Sequence, residues 1–157
     1  MNGELPNLIP VLPELFLAVM AMALLMFGVF RGDKYYHQVA NLSVLTLVVA
    51  VVIMITQVGG ERETTFGGMY VTDAFAIFTK VLVYIGSAVA ILISTTYLKE
   101  HKIARFEYPI LILLATLGML IMVSASHFLT LYLGLELLSL CLYAMVAMQR
   151  DSKLATE

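Results

Sequence analysis

Polar residues interrupt this chain so rarely that its layout can be read from the gaps between them. Five apolar runs stand out, at about 11–30, 39–58, 74–98, 107–124 and 127–148, with short polar segments between. None alternates as a half-buried strand would. The last, about 22 residues, would measure roughly 33 Å as a helix, enough to cross the hydrocarbon core of a bilayer. The fourth holds only about 16 residues after residue 108, roughly 24 Å, and needs 106–108 to span. The pattern predicts an all-α polytopic membrane protein, about five transmembrane helices in one membrane domain over 1–157.

Local signals mark the ends of these runs. Pro13 suits a first helical turn, and Glu14 complements the positive end of that helix. The rest of the first run is apolar apart from Gly28, so this helix offers packing and no chemistry. It reads as a helix rather than a secretory signal, because no Lys or Arg precedes it and no small-residue cleavage site follows. RGDKYYHQ at 31–38 reads as a short loop, and GGERETTFGGMYVTD at 59–73, with four glycines, as a surface loop. Thr72 or Asp73 can cap the third helix. The SASH turn at 124–127 is tight, with Ser126 placed to cap the fifth helix, so runs four and five form an antiparallel hairpin.

Charge then orients the runs. The side holding the N-terminus, the 59–73 loop and the SASH turn carries Arg62 alone. The other side carries Arg31, Lys34, Lys99, Lys102, Arg105, Arg150 and Lys153. The positive-inside rule therefore expects the N-terminus outside and the C-terminus in the cytoplasm or matrix.

Composition agrees. Hydrophobic residues make up 61% and charged residues 13% of the chain, at a mean hydropathy of +0.95, far from the usage of soluble domains. A net charge of −2 points to no particular partner, and no basic cluster with interleaved aromatics suggests nucleic acid. The single cysteine, Cys141, excludes an internal disulfide and a cysteine metal cage, and reads as a small packing residue. His37, His101 and His127 lie at run ends without ligand spacing, so no metal site is expected. The glycine pairs at 59–60 and 67–68 are loop glycines and not a cofactor cradle.

Two residues remain as candidates for chemistry. Glu136 lies near the middle of the fifth run. An acidic side chain at that depth costs roughly 2.5–3.5 kcal/mol to insert. Protonating an ordinary glutamate at pH 7 costs about 3.7 kcal/mol, so the charged and neutral forms are close in free energy, as a proton relay requires. At helical spacing Tyr132, Glu136, Ser139 and Tyr143 form one stripe, expected to face a bundle interior. Thr130, Gly134 and Cys141 lie opposite, where another helix could come close. A buried acid kept neutral as interhelical glue is the structural alternative. Lys80 sits about 10 Å into the third helix, on a face with Asp73, Tyr84, Ser87 and Ser94. It either snorkels to the nearer interface or pairs with Asp73. It is also the candidate charge partner of Glu136, since the two differ in depth by only about 4 Å.

Several segments resemble a known family: LPELFLA at 12–18, TDAFAIFTKVLVYIGSAVAILIS at 72–94, and above all FEYPILILLATLGMLIMVSASHFLTLYLGLELLSLCLYAMVA at 106–147. They look like the antiporter-like membrane subunits of the proton-pumping NADH:quinone oxidoreductase, complex I, and among these like subunit N. The block at 132–143 is shared across the antiporter-like group, and the whole of 106–147 favours subunit N. The resemblance implies that Glu136 is the acid of an intramembrane proton channel, working against lysines on later helices. It implies a translocase subunit of the respiratory chain, set among other complex I membrane subunits in the bacterial inner membrane, with the mitochondrial inner membrane as the alternative. It implies no cofactor in this chain, with NADH, FMN, iron–sulfur clusters and quinone on or with other subunits. Family members are much longer, so the resemblance covers their N-terminal third. The chain is then a fragment or a truncated gene product, not expected to pump alone because Lys80 is its one further intramembrane charge. His127 stands where the family turn often has an acidic residue. Two other readings are a subunit of a multisubunit cation/proton antiporter or membrane-bound hydrogenase, and a non-pumping assembly scaffold.

Overall fold

The computed structural model describes residues 7–56, 63–100 and 105–148. Sequence expectations that rest on Gly59, Gly60, Arg62, His101, Lys102, Arg150 and Lys153 lie outside the described residues. Five α-helices carry the fold: α1 Leu12–Arg31, α2 Tyr36–Thr56, α3 Ala74–Glu100, α4 Glu107–Val123 and α5 Phe128–Ala147. Each apolar run becomes one helix. Four helical segments, Ile9–Arg31, Asp33–Thr56, Ala74–Glu100 and Phe128–Ala147, are long and apolar enough to cross a membrane, while α4 is a shorter apolar helix. The architecture is that of an all-α polytopic membrane protein.

Helix ends follow local chemistry, with three departures from the sequence reading. Pro13 sits in the first turn of α1, and Gly32, at φ +71, ends it with its N–H on the Gly28 carbonyl at 2.7 Å. The segment after it is not a free loop: Asp33–Tyr35 forms a 3₁₀ turn and α2 begins directly at Tyr36. Asp73 caps α3, its Oδ1 accepting the Ala76 N–H at 2.7 Å. The cap of α5 is His127 and not Ser126: His127 Nδ1 accepts the Leu129 N–H at 3.3 Å. The Ser126 N–H is engaged elsewhere, by the Met69 carbonyl at 3.0 Å.

That contact belongs to the third departure. The glycine-rich segment, read as a surface loop, contains an antiparallel hairpin of β1 Glu63–Thr65 and β2 Tyr70–Thr72, turning through Gly67 and Gly68 at positive φ. Its second strand also lies antiparallel to the α4–α5 turn, Tyr70 opposite Ala125, with Val71 N–H donating to the Ser124 carbonyl at 2.9 Å. The two open polar edges thus satisfy each other.

α4 is the centre of the bundle. It packs against α1, α2, α3 and α5, and is apolar all round, as a helix without a solvent or lipid face must be. Leu17, Leu24, Val39, Leu47, Tyr84, Ile91, Leu113 and Leu120 form the buried core among α1–α4. The outer surfaces carry large apolar side chains such as Val19, Met22, Phe30, Phe75 and Phe78. α5 is the least covered helix, with only Gly134 and Cys141 buried among its residues.

Candidate functional site

The outer helix α5 is laid against α4 by a pair of glycines. A methyl group added at Gly134 would stand 2.8 Å from the Gly118 carbonyl, and one at Gly118 would stand 2.7 Å from the Gly134 carbonyl. Backbones approach this closely only where neither residue has a Cβ. The small-residue face expected from the sequence is therefore the packed one. Fixing that face fixes the opposite one. Tyr132 is 51% and Tyr143 70% exposed, Glu136 is exposed between them, and Ser139 hydrogen bonds its own helix at the Leu135 carbonyl, 2.9 Å away. The polar stripe thus faces outward from this chain and not into its bundle, and Leu-rich surface on the same helix is outward as well. Among the described residues Glu136 has no cationic side chain within ion-pair distance.

Lys80 is elsewhere, and fully buried. Its ammonium lies 2.7 Å from Glu14 Oε1, and the two residues are 1% and 2% exposed. The structure thus gives Lys80 a partner the sequence reading did not offer: neither Asp73, which caps α3, nor Glu136. The stripe on α3 faces inward, with Lys80, Tyr84 and Ser87 all buried, so Lys80 packs inside the bundle and does not snorkel outward. Its next polar contact is Ser87 with Thr116 of α4, their hydroxyls 2.7 Å apart, while Thr116 Oγ1 also lies 2.7 Å from the Ile112 carbonyl. That carbonyl can only accept, so Thr116 donates to it and takes the Ser87 proton in return.

The ion pair is completed from the hairpin. Lys80 Nζ donates to Tyr70 Oη at 2.7 Å and also lies 4.9 Å from the centre of the Tyr70 ring. Tyr70 in turn reaches the Pro10 carbonyl only at 3.5 Å. Burial, reinforced by the Glu14 carboxylate, holds the Tyr70 phenol above its ordinary pKa, so it serves as a neutral hydroxyl. Tyr84, one turn along α3 from Lys80, is buried with its hydroxyl unpartnered among the described residues. An open apolar pocket of about 390 Å³ borders Glu14 and Tyr70, lined also by Val11, Phe66, Met69 and Leu117.

Glu14 is the residue that sequence reasoning missed, having been assigned to the helix dipole. A usable signal was present. Helices α1 and α3 enter from the same side, and Glu14 and Lys80 fall within about two turns of that end, so an acid and a base share a depth. Among the described residues no three His, Cys, Asp or Glu side chains gather as metal ligands would.

No protein-family model matches the chain. It is 52% identical over 151 residues to NADH-quinone oxidoreductase subunit N of Paramagnetospirillum magneticum, covering 96% of this chain and 31% of that protein. It is 48% identical over 155 residues to the subunit of the same name from Parvibaculum lavamentivorans, covering 99% of this chain and 32% of the relative. Among solved structures, a chain of respiratory complex I from Thermus thermophilus with bound aureothin superposes with a TM-score of 0.70 at 27% identity. The match covers 85% of this chain and 28% of that one. The chain therefore spans about a third of the length of the curated relatives it matches.

Proposed function

We propose that this chain, homologous over nearly its whole length to about a third of NADH-quinone oxidoreductase subunit N, serves within a membrane subunit of such an oxidoreductase, beside its other membrane subunits in a bacterial inner membrane. Glu136 takes up and releases the transported proton, while electron transfer from NADH to quinone elsewhere in the complex supplies the drive. The observation that carries this reading is the outward stripe of α5. An acid flanked by two tyrosines in the middle of an apolar helix is costly unless further protein covers it. A chain with a third of its relatives' length leaves room for that cover. A cation brought beside the carboxyl favours release of its proton, and withdrawal of the cation favours uptake. A moving lysine on a covering helix would thus convert motion into proton transfer. Flavin, nicotinamide and iron–sulfur chemistry would reside on other subunits, a division supported by the single cysteine here.

The same reading places the N-terminus outside. Among the described residues Arg31, Lys34, Lys99 and Arg105 all lie at one end of the bundle, where the Phe106 N–H also reaches Asp33 Oδ1 at 3.2 Å. The test is Glu136→Gln in the assembled complex. Proton transport should fall to a small fraction while assembly is retained. Pumping at the parental ratio of protons to electrons would remove Glu136 from the pathway.

A further inference from the structure

We infer that the buried cluster of Glu14, Lys80 and Tyr70 is a positioning element for α5, setting through the hairpin and the α4–α5 turn where the Glu136 carboxyl stands. The inference rests on the reading of Glu136 given above. Its own footing is a continuous run of contacts. Lys80 is held on one side by Glu14 Oε1 and donates on the other to Tyr70 Oη, both at 2.7 Å. The Pro10 carbonyl is farther from that hydroxyl, at 3.5 Å, and the Glu14 and Ser124 side chains also neighbour it, so Lys80 makes the short charge-assisted contact within a shared polar cluster. The Tyr70 main chain lies opposite Ala125, flanked by Val71 N–H to the Ser124 carbonyl and Ser126 N–H to the Met69 carbonyl. Two residues past Ser126, α5 begins.

A helix is stiff, so what holds its first turn is felt further along it. Glu136 is eight residues beyond Phe128, roughly 12 Å. Further along, α5 is held on α4 by Gly134, half a turn short of Glu136, and beyond it by Leu138 and the buried Cys141. The contacts along α4 all lie on one side of α5, so the anchored first turn sets the freedom they leave, a small rotation about that side. A group on the rim of a helix lies roughly 5–6 Å from the axis, so a rotation of about 10° moves it by about 1 Å. Misplacement of that size can cost about a hundredfold where reacting groups must meet. The ion pair suits this task better than it suits stability, because apolar residues of the same size often hold a core equally well without fixing direction.

The experiment compares three forms of the complex that contains this chain, in native membranes: the parent, the double variant Glu14→Met with Lys80→Met, and Tyr70→Phe. Neither variant form changes the net charge, and Tyr70→Phe also leaves the ion pair and its field in place. The readout is the midpoint of the Glu136 carboxyl in an infrared titration, with the band assigned by Glu136→Gln. Both variants should shift the midpoint in the same direction by at least about 0.5 pH unit, a threefold change in proton affinity. A midpoint unchanged in both overturns the positioning role and leaves Glu136 as the proton site. A shift in the double variant alone overturns the route through the Tyr70 hydroxyl. Should the double variant fail to accumulate, Tyr70→Phe decides, because it keeps the ring and the ion pair. If the parent shows no titration of Glu136, the proton-site reading itself fails, and this inference with it.

Discussion

Replacing Lys80 by Met would leave Glu14 buried without its cation, and the structure sets the scale of the damage. Both partners are at most 2% exposed, so no allowance for solvent screening applies. Breaking such a pair from one side typically costs about 3–5 kcal/mol. The loss has a ceiling, because a stranded acid can take up a proton, which for an ordinary glutamate at pH 7 costs about 3.7 kcal/mol. The reverse change, Glu14→Gln, strands an ammonium, whose escape by losing a proton costs about 4.6 kcal/mol for an ordinary lysine. Each single variant should therefore lose about 3–4 kcal/mol, more than two decades in the folding equilibrium. The double variant with Met at both positions should lie within about 1 kcal/mol of the parent, since apolar replacement of both ions is often neutral. The assay is a double-mutant cycle on reversible denaturation of the detergent-solubilised protein. Single losses that simply add in the double variant would show that the two charges do not meet in the folded protein, refuting the pairing and everything built on it.

Two further outcomes test the packing. Gly134→Ala gains roughly 1 kcal/mol of helix propensity, yet its methyl group would meet the Gly118 carbonyl and the Met122 backbone. Neither can yield, so a net loss of about 1–2 kcal/mol in unfolding free energy is expected; a stabilised variant would contradict the close crossing. Thr116→Val keeps volume but leaves the buried Ser87 hydroxyl without its acceptor, at a cost of about 1–3 kcal/mol. Thr116→Val combined with Ser87→Ala should recover part of that cost in the same denaturation measurement, and strict additivity would count against the hydroxyl pair.

Much of the fold was legible because a bilayer-sized apolar run has few alternatives to a helix. Glycine and cysteine on one side of the fifth run gave the packed face of α5, and hence the stripe opposite, although its outward direction was not legible. Direction depends on what covers the helix, which periodicity does not contain. Spacing alone also put Lys80, Tyr84 and Ser87 on one face of α3, while the inward direction of that face was not legible. The hairpin went unread because glycine-rich polar sequence signals a turn, while the pairing of β2 with residues 124–126 is a contact between segments some fifty positions apart. Glu14 went unread because an acid in a first turn has an adequate local explanation. A local explanation that suffices hides a tertiary one.

The shortness of α4 carries a last consequence. Its 17 residues extend about 25 Å, less than the roughly 30 Å of a typical hydrocarbon core. Surrounded by four neighbours, this segment scarcely touches acyl chains and so escapes the thickness matching that governs perimeter helices. Transfer to a thicker or thinner lipid should strain the outer helices first. The central rod can keep whatever length the connections at its two ends demand.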